Sequence, residues 1–245
     1  MGQHKYGKLY RSVRKCVRFF LPEYEIKKQE DITEGVVFVS HHQNLLGPVI
    51  VLAEYPHFVR TWALDIFFDQ ELCRKHYVAY TFTERFKIPR VLAKIIAWPF
   101  SSFVAKLMKS GRMIPVHRQS RKIIHTLQTS AACLAKGENL LVFPDIDYSS
   151  KEERVGEIYS GFLSLEKYYY RKTGRHLSFV PLYADERTCE IKIGQAIQFT
   201  DQIPFMEQKE QVAKALRSSL NELVTAPVSP DSVQVSRPES TYSGK

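Results

Sequence analysis

Short apolar runs alternate with longer amphipathic stretches along most of the chain. The runs combine β-branched and large apolar residues, as buried strands do, and they lie at 36–40, 140–143 and 178–182. The stretches between them have apolar residues three or four positions apart, the spacing of a helix with one buried face, over 46–55, 119–136, 160–172 and 204–224. We therefore predict a single α/β domain with a mostly parallel central sheet flanked by helices.

Weaker patterns complete this outline. Two further strands are predicted at 58–64 and 112–116, and 189–199 alternates between apolar and polar residues like an exposed strand. Residues 88–108 are very apolar, but Pro99 divides them. We predict two short helices there, which are either buried or lie against lipid.

The two ends of the chain differ from its middle. Residues 4–21 have helical spacing, with an aromatic-rich apolar face, a basic opposite face and Pro22 as the stop. Such a helix either lies on a membrane surface or packs on its own domain with a solvated basic face. The last twenty residues are rich in serine and proline. We therefore expect a basic amphipathic helix at 1–22, an α/β domain at 23–225 and a disordered tail at 226–245.

Composition narrows the partners and the compartment. The 245-residue chain has 35 Lys and Arg against 26 Asp and Glu, a net charge of +9. Nucleic acid, an anionic membrane surface and a phosphorylated or thioester-carrying small molecule are therefore all open as partners. No two of the four cysteines have C-x-x-C spacing, which argues against a zinc or redox site and is typical of a cytoplasmic protein. The chain has no secretory signal and no apolar run of about eighteen residues, so we expect neither export nor a membrane-spanning helix.

Candidate chemistry lies in loops that follow predicted strands. The first loop, 40–48, carries His42, and a histidine directly after a buried strand is well suited to act as a general base. The alternatives are a structural histidine and a metal ligand, but no cluster with metal-ligand spacing accompanies it. In the second loop Arg118 can hold a phosphate, unless it is simply solvated. In the third, Asp145 and Asp147 can orient a histidine or bind a hydroxyl, although proline and aspartate also favour an ordinary turn there.

Taken in order, these loops resemble the four motif blocks of the 1-acylglycerol-phosphate acyltransferase family of glycerolipid acyltransferases. The family's N-H-x4-D block resembles His41 to Pro48, and its G-x-I-F/P-V/I-x-R block resembles Gly111 to Arg118. Its F-P-E-G-T-R block resembles Phe143 to Tyr148, and its V-P-V/L block resembles Val180 to Leu182. The resemblance extends over residues 35–200.

The resemblance implies an O-acyltransferase. In the family, the histidine of the first block deprotonates the acceptor hydroxyl, which attacks the thioester of acyl-CoA or acyl carrier protein, and neither a metal nor another cofactor takes part. Carried over to this chain, this makes His42 the catalytic base. The residues implied to contact the acceptor are Asn44, Arg118, Asp147 and Tyr148.

Several departures from the family pattern bear on activity. Gly47 replaces the aspartate that holds the catalytic imidazole, and Asp145 replaces the third-block glutamate by a shorter carboxylate. Ile146 and Tyr148 replace the glycine and arginine of that block. Loss of the orienting carboxylate of a serine-protease triad lowers the rate about ten-thousandfold, so an active enzyme needs a substitute acid. Asp145 is the first choice for this second catalytic role, and Asp147 is the next.

Three functions are open at this point. The first is an acyltransferase, peripherally associated with the membrane in the cytoplasm, whose partners are a lysolipid or related acceptor, an acyl thioester (with acyl carrier protein as one donor) and an anionic membrane surface. The second is a catalytically silent protein of the same fold that binds lipid or acyl groups. The third is nucleic-acid binding, which the lack of a recognised motif disfavours, so no nucleic-acid partner is expected.

Overall fold

The computed structural model of the chain describes residues 6–29, 31, 34–118, 120–147 and 152–225. The tail predicted at 226–245 lies outside the described residues. By their internal contacts the residues fall into two compact units. Among the described residues, a helical unit comprises those up to Val13 and those from Arg60 to Ser130, and a sheet unit comprises those from Arg14 to Val59 and those from Ala131 onward.

The described strands, in chain order, are β1 (Glu25–Lys28), β2 (Val37–Ser40), β3 (Val59–Leu64), β4 (Ile114–Val116), β5 (Asn139–Val142), β6 (Phe179–Asp185) and β7 (Glu190–Ile193). The described α-helices are α1 (Lys8–Phe20), α2 (Leu46–Glu54), α3 (Gln70–His76), α4 (Arg90–Ser110), α5 (Ile123–Leu134), α6 (Leu165–Thr173) and α7 (Phe205–Thr225). A π-helical segment, Tyr77–Arg85, follows α3 directly.

The sheet unit is built on the strand order β1-β7-β6-β2-β5. Neighbouring strands are parallel, except that β6 and β7 run antiparallel. Val37 of β2 pairs with Leu140 of β5 on one side and with Phe179 of β6 on the other. The carboxyl ends of these three strands therefore meet at one edge. The predicted α/β class, with a mostly parallel sheet flanked by helices, is confirmed.

The core of the sheet unit forms where α2 covers the central strands. Phe38, Leu141 and Val180, one from each central strand, share a buried cluster with Ile50 and Val51 of α2. Each such side chain contributes about 1.5–3 kcal/mol by leaving water. This packing fixes the ends of β2 and β5, from which the candidate catalytic loops begin.

The helical unit has its own parallel pair of strands. Leu64 at the end of β3 lies opposite Val116 at the end of β4. Two hydrogen bonds tie this pair to α5: the Trp62 indole donates to Ser130 Oγ over 2.9 Å, and the Thr126 hydroxyl donates to the Pro115 carbonyl oxygen over 2.8 Å.

The helix α4 corrects one prediction. Residues 88–108 were predicted as two short helices, but a single helix runs from Arg90 to Ser110 with Pro99 inside it. Proline removes only one backbone donor, and Pro99 lies at an exposed position. Packing of a small-residue inner face on both sides of Pro99 offsets that loss. The buried residues of this face are Ala93, Ala97, Ser101, Val104 and Ala105.

The remaining predictions vary in accuracy. The buried strands β2, β5 and β6 and the helix α7 are confirmed. The exposed strand predicted at 189–199 is wrong in length and exposure: β7 has four residues, and it is largely buried because it lies between β1 and β6. The basic helix predicted at 4–21 extends over Lys8–Phe20. The strand β1 was missed because Glu25–Lys28 contains one apolar residue among four.

Candidate active site

Two loops of the sheet unit meet at its carboxyl edge. Residues His41 and His42 follow β2, and Asp145 lies three residues after β5. The Asp145 carboxylate contacts both histidines: Oδ1 lies 2.5 Å from Nδ1 of His41, and Oδ2 lies 2.9 Å from the backbone nitrogen of His42. Parallel pairing of β2 with β5 brings the two loops together. One carboxylate therefore joins the first and third motif blocks.

The His41 ring is held at both nitrogens. Its Nδ1 faces Asp145, and its Nε2 lies 2.9 Å from the carbonyl oxygen of Glu152. A carboxylate and a carbonyl oxygen only accept hydrogen bonds, so both nitrogens carry protons and the ring is an imidazolium. Burial by itself lowers the pKa of His41, but the hydrogen bond and charge of Asp145, with the Glu152 carbonyl, outweigh burial and raise that pKa. A buried, doubly protonated ring cannot accept a proton, so His41 is a structural clamp.

The His42 ring has a different hydrogen-bonding state. It is half-buried, with its edge against Phe143 at 5.8 Å between ring centroids. Its Nδ1 accepts a hydrogen bond from the backbone nitrogen of Leu45 over 3.2 Å. A neutral imidazole has one proton, which must then lie on Nε2. In this tautomer Nε2 is a hydrogen-bond donor, the opposite of what a general base requires.

The expected geometry of the catalytic pair is therefore wrong. Asp145 was predicted to orient the His42 imidazole, but its two oxygens contact the His41 ring and the His42 backbone. Adjacent side chains at a strand end point to opposite sides, so one histidine of the pair faces inward and captures the buried carboxylate. This alternation is the sequence pattern from which an inward-facing histidine next to His42 could have been predicted. Whether His42 and Asp145 take part in catalysis stays a prediction.

The predicted acceptor ligands belong to different parts of the fold. Asn44 lies in a 3-10 turn at 43–45, and Asp147 is exposed after β5. Arg118 is exposed and belongs to the helical unit, after β4. Tyr148 lies outside the described residues. The roles of these four residues stay predictions.

Gly47 has a packing reason. A Cβ atom at this position would overlap the carbonyl oxygen of His41, which is backbone and cannot swing aside. The start of α2 therefore lies directly against the residue that holds Asp145. In this loop an aspartate five residues after His42 does not fit without a backbone shift. Close packing of α2 on the His41 backbone therefore accounts for a glycine at position 47.

The loop after β2 is strained and carries polar atoms without partners. Gln43 and Leu45 have φ of +44° and +84°, conformations that cost of order 1–3 kcal/mol each in residues other than glycine. Gln43 also hydrogen-bonds to Tyr183, whose pKa is raised to about 12, chiefly by burial. Within the described part of the chain, the buried Ser40 hydroxyl and the Gln43 amide oxygen have no hydrogen-bond partner. Strain and unsatisfied buried atoms concentrate at functional sites.

Two cavities of the sheet unit lie elsewhere. Their volumes are about 590 and 620 Å³, and His176 lines both of them. Val36 and Ser178, at the amino ends of β2 and β6, line the first. Glu166 accepts from His176 Nδ1 over 2.7 Å and from the Leu177 backbone over 2.9 Å, a clamp between α6 and β6. The first cavity therefore lies at the amino ends of β2 and β6, at the opposite end from the candidate motif blocks.

No metal centre accompanies the histidines. Across the residues that the structure describes, no three His, Cys, Asp or Glu side chains are grouped to hold a metal ion.

Comparisons with known proteins give a likeness of fold but no match of sequence. No family model matches the chain, and no curated protein matches it. Among solved structures, the chain is similar to the 1-acyl-sn-glycerophosphate (LPA) acyltransferase PlsC from Thermotoga maritima. The identity is 10%, the match covers 89% of this chain and 81% of that chain, and the TM-score is 0.47. At this level the likeness concerns the arrangement of helices and strands alone.

Proposed function

We propose that the chain transfers a fatty acyl group from acyl-CoA or acyl carrier protein to a hydroxyl of a lysolipid or related acceptor, at the cytoplasmic surface of a membrane. The observation that carries the proposal is the joining of the first and third motif blocks by Asp145. They meet at the carboxyl edge of a parallel sheet, where the sites of such folds lie. The order of the blocks along the chain supports the same reading.

The outer face of α4 supports the membrane part of the proposal. This helix buries small residues and exposes large ones, the inverse of an ordinary amphipathic helix in a soluble protein. Val91, Ile95 and Trp98 lie about one turn apart and are 75%, 66% and 66% exposed. Leu92 and Phe103 extend the same face. An apolar surface of this kind marks a contact with a partner or with lipid.

The charges on α4 favour lipid as that partner. The helix contains no Asp or Glu, and its exposed basic residues are Arg90, Lys94, Lys106 and Lys109. Basic side chains around an apolar face are typical of helices that lie in the headgroup region of anionic membranes. In the described part of the chain α4 is also the helix long and apolar enough to cross a bilayer, although none was expected. Because its inner face packs on its own unit, the proposal has α4 lie along the surface.

A second candidate is the silent lipid- or acyl-binding protein. One specific observation favours it: at the first block, His41 is doubly protonated and the His42 Nδ1 already accepts a backbone hydrogen bond. In this state neither ring can take the acceptor's proton. The candidate therefore predicts binding of lipid and acyl thioester without turnover.

An acyl-transfer assay separates the two candidates. The full chain would be incubated with acyl-CoA and acyl carrier protein thioesters of several chain lengths, against a panel of lysolipids and other alcohols, with detection of released thiol and of the ester product. Ester formation by the wild-type chain, reduced in Asp145→Asn, is the expected result. Sedimentation with vesicles and binding of acyl-CoA, with no ester formed by any pair, would favour the silent candidate instead.

A further inference from the structure

The helical unit contains a histidine–carboxylate pair of its own. Asp65 follows β3 directly, and His117 follows β4 directly. Because Leu64 and Val116 are partners in the parallel pair, the next residues of both strands emerge side by side. Nδ1 of His117 lies 2.7 Å from Oδ2 of Asp65. The pair thus occupies the carboxyl edge of two parallel strands, where parallel sheets carry their sites.

The hydrogen bond fixes the state of the His117 ring. Asp65 can only accept, so Nδ1 of His117 carries a proton, and in the neutral ring Nε2 then has the lone pair. This is the arrangement of the histidine in a catalytic triad, in which a carboxylate holds Nδ1–H and Nε2 takes the proton. The other carboxylate-bound rings differ. His41 donates from both nitrogens. Nδ1 of His176 hydrogen-bonds to Glu166, and its Nε2 is buried, without a hydrogen-bond partner among the described residues, 3.2 Å from the Asp201 carboxylate.

The partial exposure of the His117–Asp65 pair and the hydrogen bonding next to it are also suited to acid–base catalysis. The His117 and Asp65 side chains are 23% and 37% exposed. A substrate can therefore reach them, while the surrounding residues cover them enough to hold one geometry. The Thr126 hydroxyl holds the Pro115 carbonyl just before His117, which steadies the end of β4.

We propose that His117 is the catalytic base of this chain, positioned by Asp65 through the hydrogen bond at Nδ1. This assignment rests on the proposed acyl transfer.

The neutral His117 ring, with its lone pair on Nε2, determines where the proton goes in this step. Nε2 of His117 takes the hydroxyl proton while the alcohol oxygen forms a bond to the thioester carbonyl carbon. The carbon–sulfur bond then breaks, and the leaving thiolate receives the same proton from Nε2. An ester and a free thiol are the products, and His117 returns to its neutral form.

The test compares His117→Gln with His125→Gln, a matched control for an exposed histidine on α5 of the same unit. General acid–base groups contribute typically about 10²–10⁴-fold, so His117→Gln should lower kcat by at least about 100-fold with little change in KM. His125→Gln should keep the wild-type rate. Asp65→Asn should lower kcat and shift the pH profile, and Asp65→Glu should restore part of both. Full activity in His117→Gln, with loss in His42→Gln, would overturn the assignment.

A spectroscopic measurement on the full wild-type chain guards against misfolded variants. Long-range 1H–15N NMR, with the His117 signal assigned by its absence in His117→Gln, should show the Nδ1–H tautomer, and Asp65→Asn should abolish that preference. An Nε2–H tautomer in the wild-type chain would refute the proposal. Wild-type protein that turns over no donor–acceptor pair would overturn acyl transfer and the base together, whereas turnover that survives in His117→Gln overturns only the base.

Discussion

At the scale of single residues, Gly47 offers a direct test of the loop geometry. Gly47→Asp restores the family's motif in the amino-acid sequence, but the Cβ of the new side chain would overlap the His41 carbonyl oxygen. We expect it to lower the free energy of unfolding by about 1–3 kcal/mol, as overpacking does, and to leave activity no higher. Urea denaturation measures the loss. Gly156→Ala is the matched control, because a Cβ there meets nothing within 4 Å; equal stability of both variants would contradict the proposed packing.

The His41 clamp makes a prediction about pH. The pKa of His41 is raised in the folded chain, so the folded state binds this proton more tightly than the unfolded chain, where the pKa is about 6.5. The stabilisation is complete below that pH and is lost as the pH rises through the raised pKa. Unfolding free energies should therefore fall more steeply above about pH 6.5 in the wild type than in His41→Gln. Equal slopes would be inconsistent with a charged clamp, and His125→Gln should keep the wild-type slope.

Loss of the negative charge of Asp145 should lower the stability of the folded chain strongly. Asp145→Asn leaves the buried His41 ring without its counter-ion, and breaking one side of a buried pair costs about 3–5 kcal/mol. The free energy of unfolding at pH 6, from urea titration, should fall by that amount. Glu157→Gln, at an exposed carboxylate of the same unit, should change it by less than about 0.5 kcal/mol.

The residues also show what the sequence could and could not determine about the site. The positions of His42 and Asp145 at two strand ends followed from the pattern of apolar runs, and the structure joins their loops. The partner of Asp145 depended on which side chain of the histidine pair faces inward, and the spacing of motif letters does not contain that information. The pair of His117 with Asp65 joins residues 52 positions apart, and only the register of β3 against β4 reveals it.

At the scale of elements, α4 carries the sharpest prediction. Ile95→Glu and Trp98→Glu each remove a large exposed apolar group and add a charge that anionic lipid repels. Burial of such a side chain is worth about 1.5–3 kcal/mol, so each variant should bind vesicles of phosphatidylcholine and phosphatidylglycerol at least about tenfold more weakly. Met206→Glu, on an exposed site of α7, is the control and should bind normally. Unchanged sedimentation of the α4 variants would exclude this face as the lipid contact.

The helix α1 needs a finer test than deletion. Arg14 donates to the carbonyl oxygens of Ala53 and Tyr55, and Arg18 pairs with Glu54, so part of the basic face is used within the sheet unit. Deletion of residues 1–22 should weaken vesicle binding but also stability, and the two effects would be confounded.

The exposed end of α1 separates these effects. Phe19 and Phe20 are 83% and 78% exposed. The double variant Phe19→Ala/Phe20→Ala should reduce vesicle binding while the urea midpoint stays constant. A lowered midpoint, or binding equal to the wild type, would count against a lipid contact at this end.

The elements illustrate where periodicity succeeds. Strands buried on both faces, such as β2 and β6, are continuous apolar runs, and their bounds were predicted within one residue for β2 and three for β6. Pro99 misled the prediction of α4, because the packing that offsets its lost hydrogen bond comes from other elements, α3 and the π-helical segment, and not from the sequence of the helix itself. The burial of β7 likewise depends on its pairing with β1, a contact that alternation within β7 cannot reveal.

At the scale of the whole molecule, the net charge is confined to one segment. Residues 85–137 contain 11 Lys and Arg and no Asp or Glu, so the rest of the chain, with 24 basic and 26 acidic residues, has a net charge of −2. This segment includes α4 and Arg118. A uniformly basic protein would gain solubility from its charge. A basic segment next to an apolar face is instead complementary to an anionic lipid surface.

This distribution predicts strongly salt-dependent membrane binding. Each Lys or Arg near an anionic surface contributes about 1 kcal/mol, and the attraction falls off within a Debye length, about 10 Å at 0.1 M salt. Vesicles that contain phosphatidylglycerol should therefore bind the chain far better than pure phosphatidylcholine, and the difference should shrink between 0.05 and 0.5 M NaCl, on the order of the screening range. Lys94→Gln/Lys106→Gln should reduce the salt dependence, whereas Lys209→Gln/Lys214→Gln, on α7, should leave it unchanged. Equal binding to both vesicle types at low salt would show that the apolar face acts alone, and an equal loss in both double variants would show that total charge, not the basic block, attracts the chain to the surface.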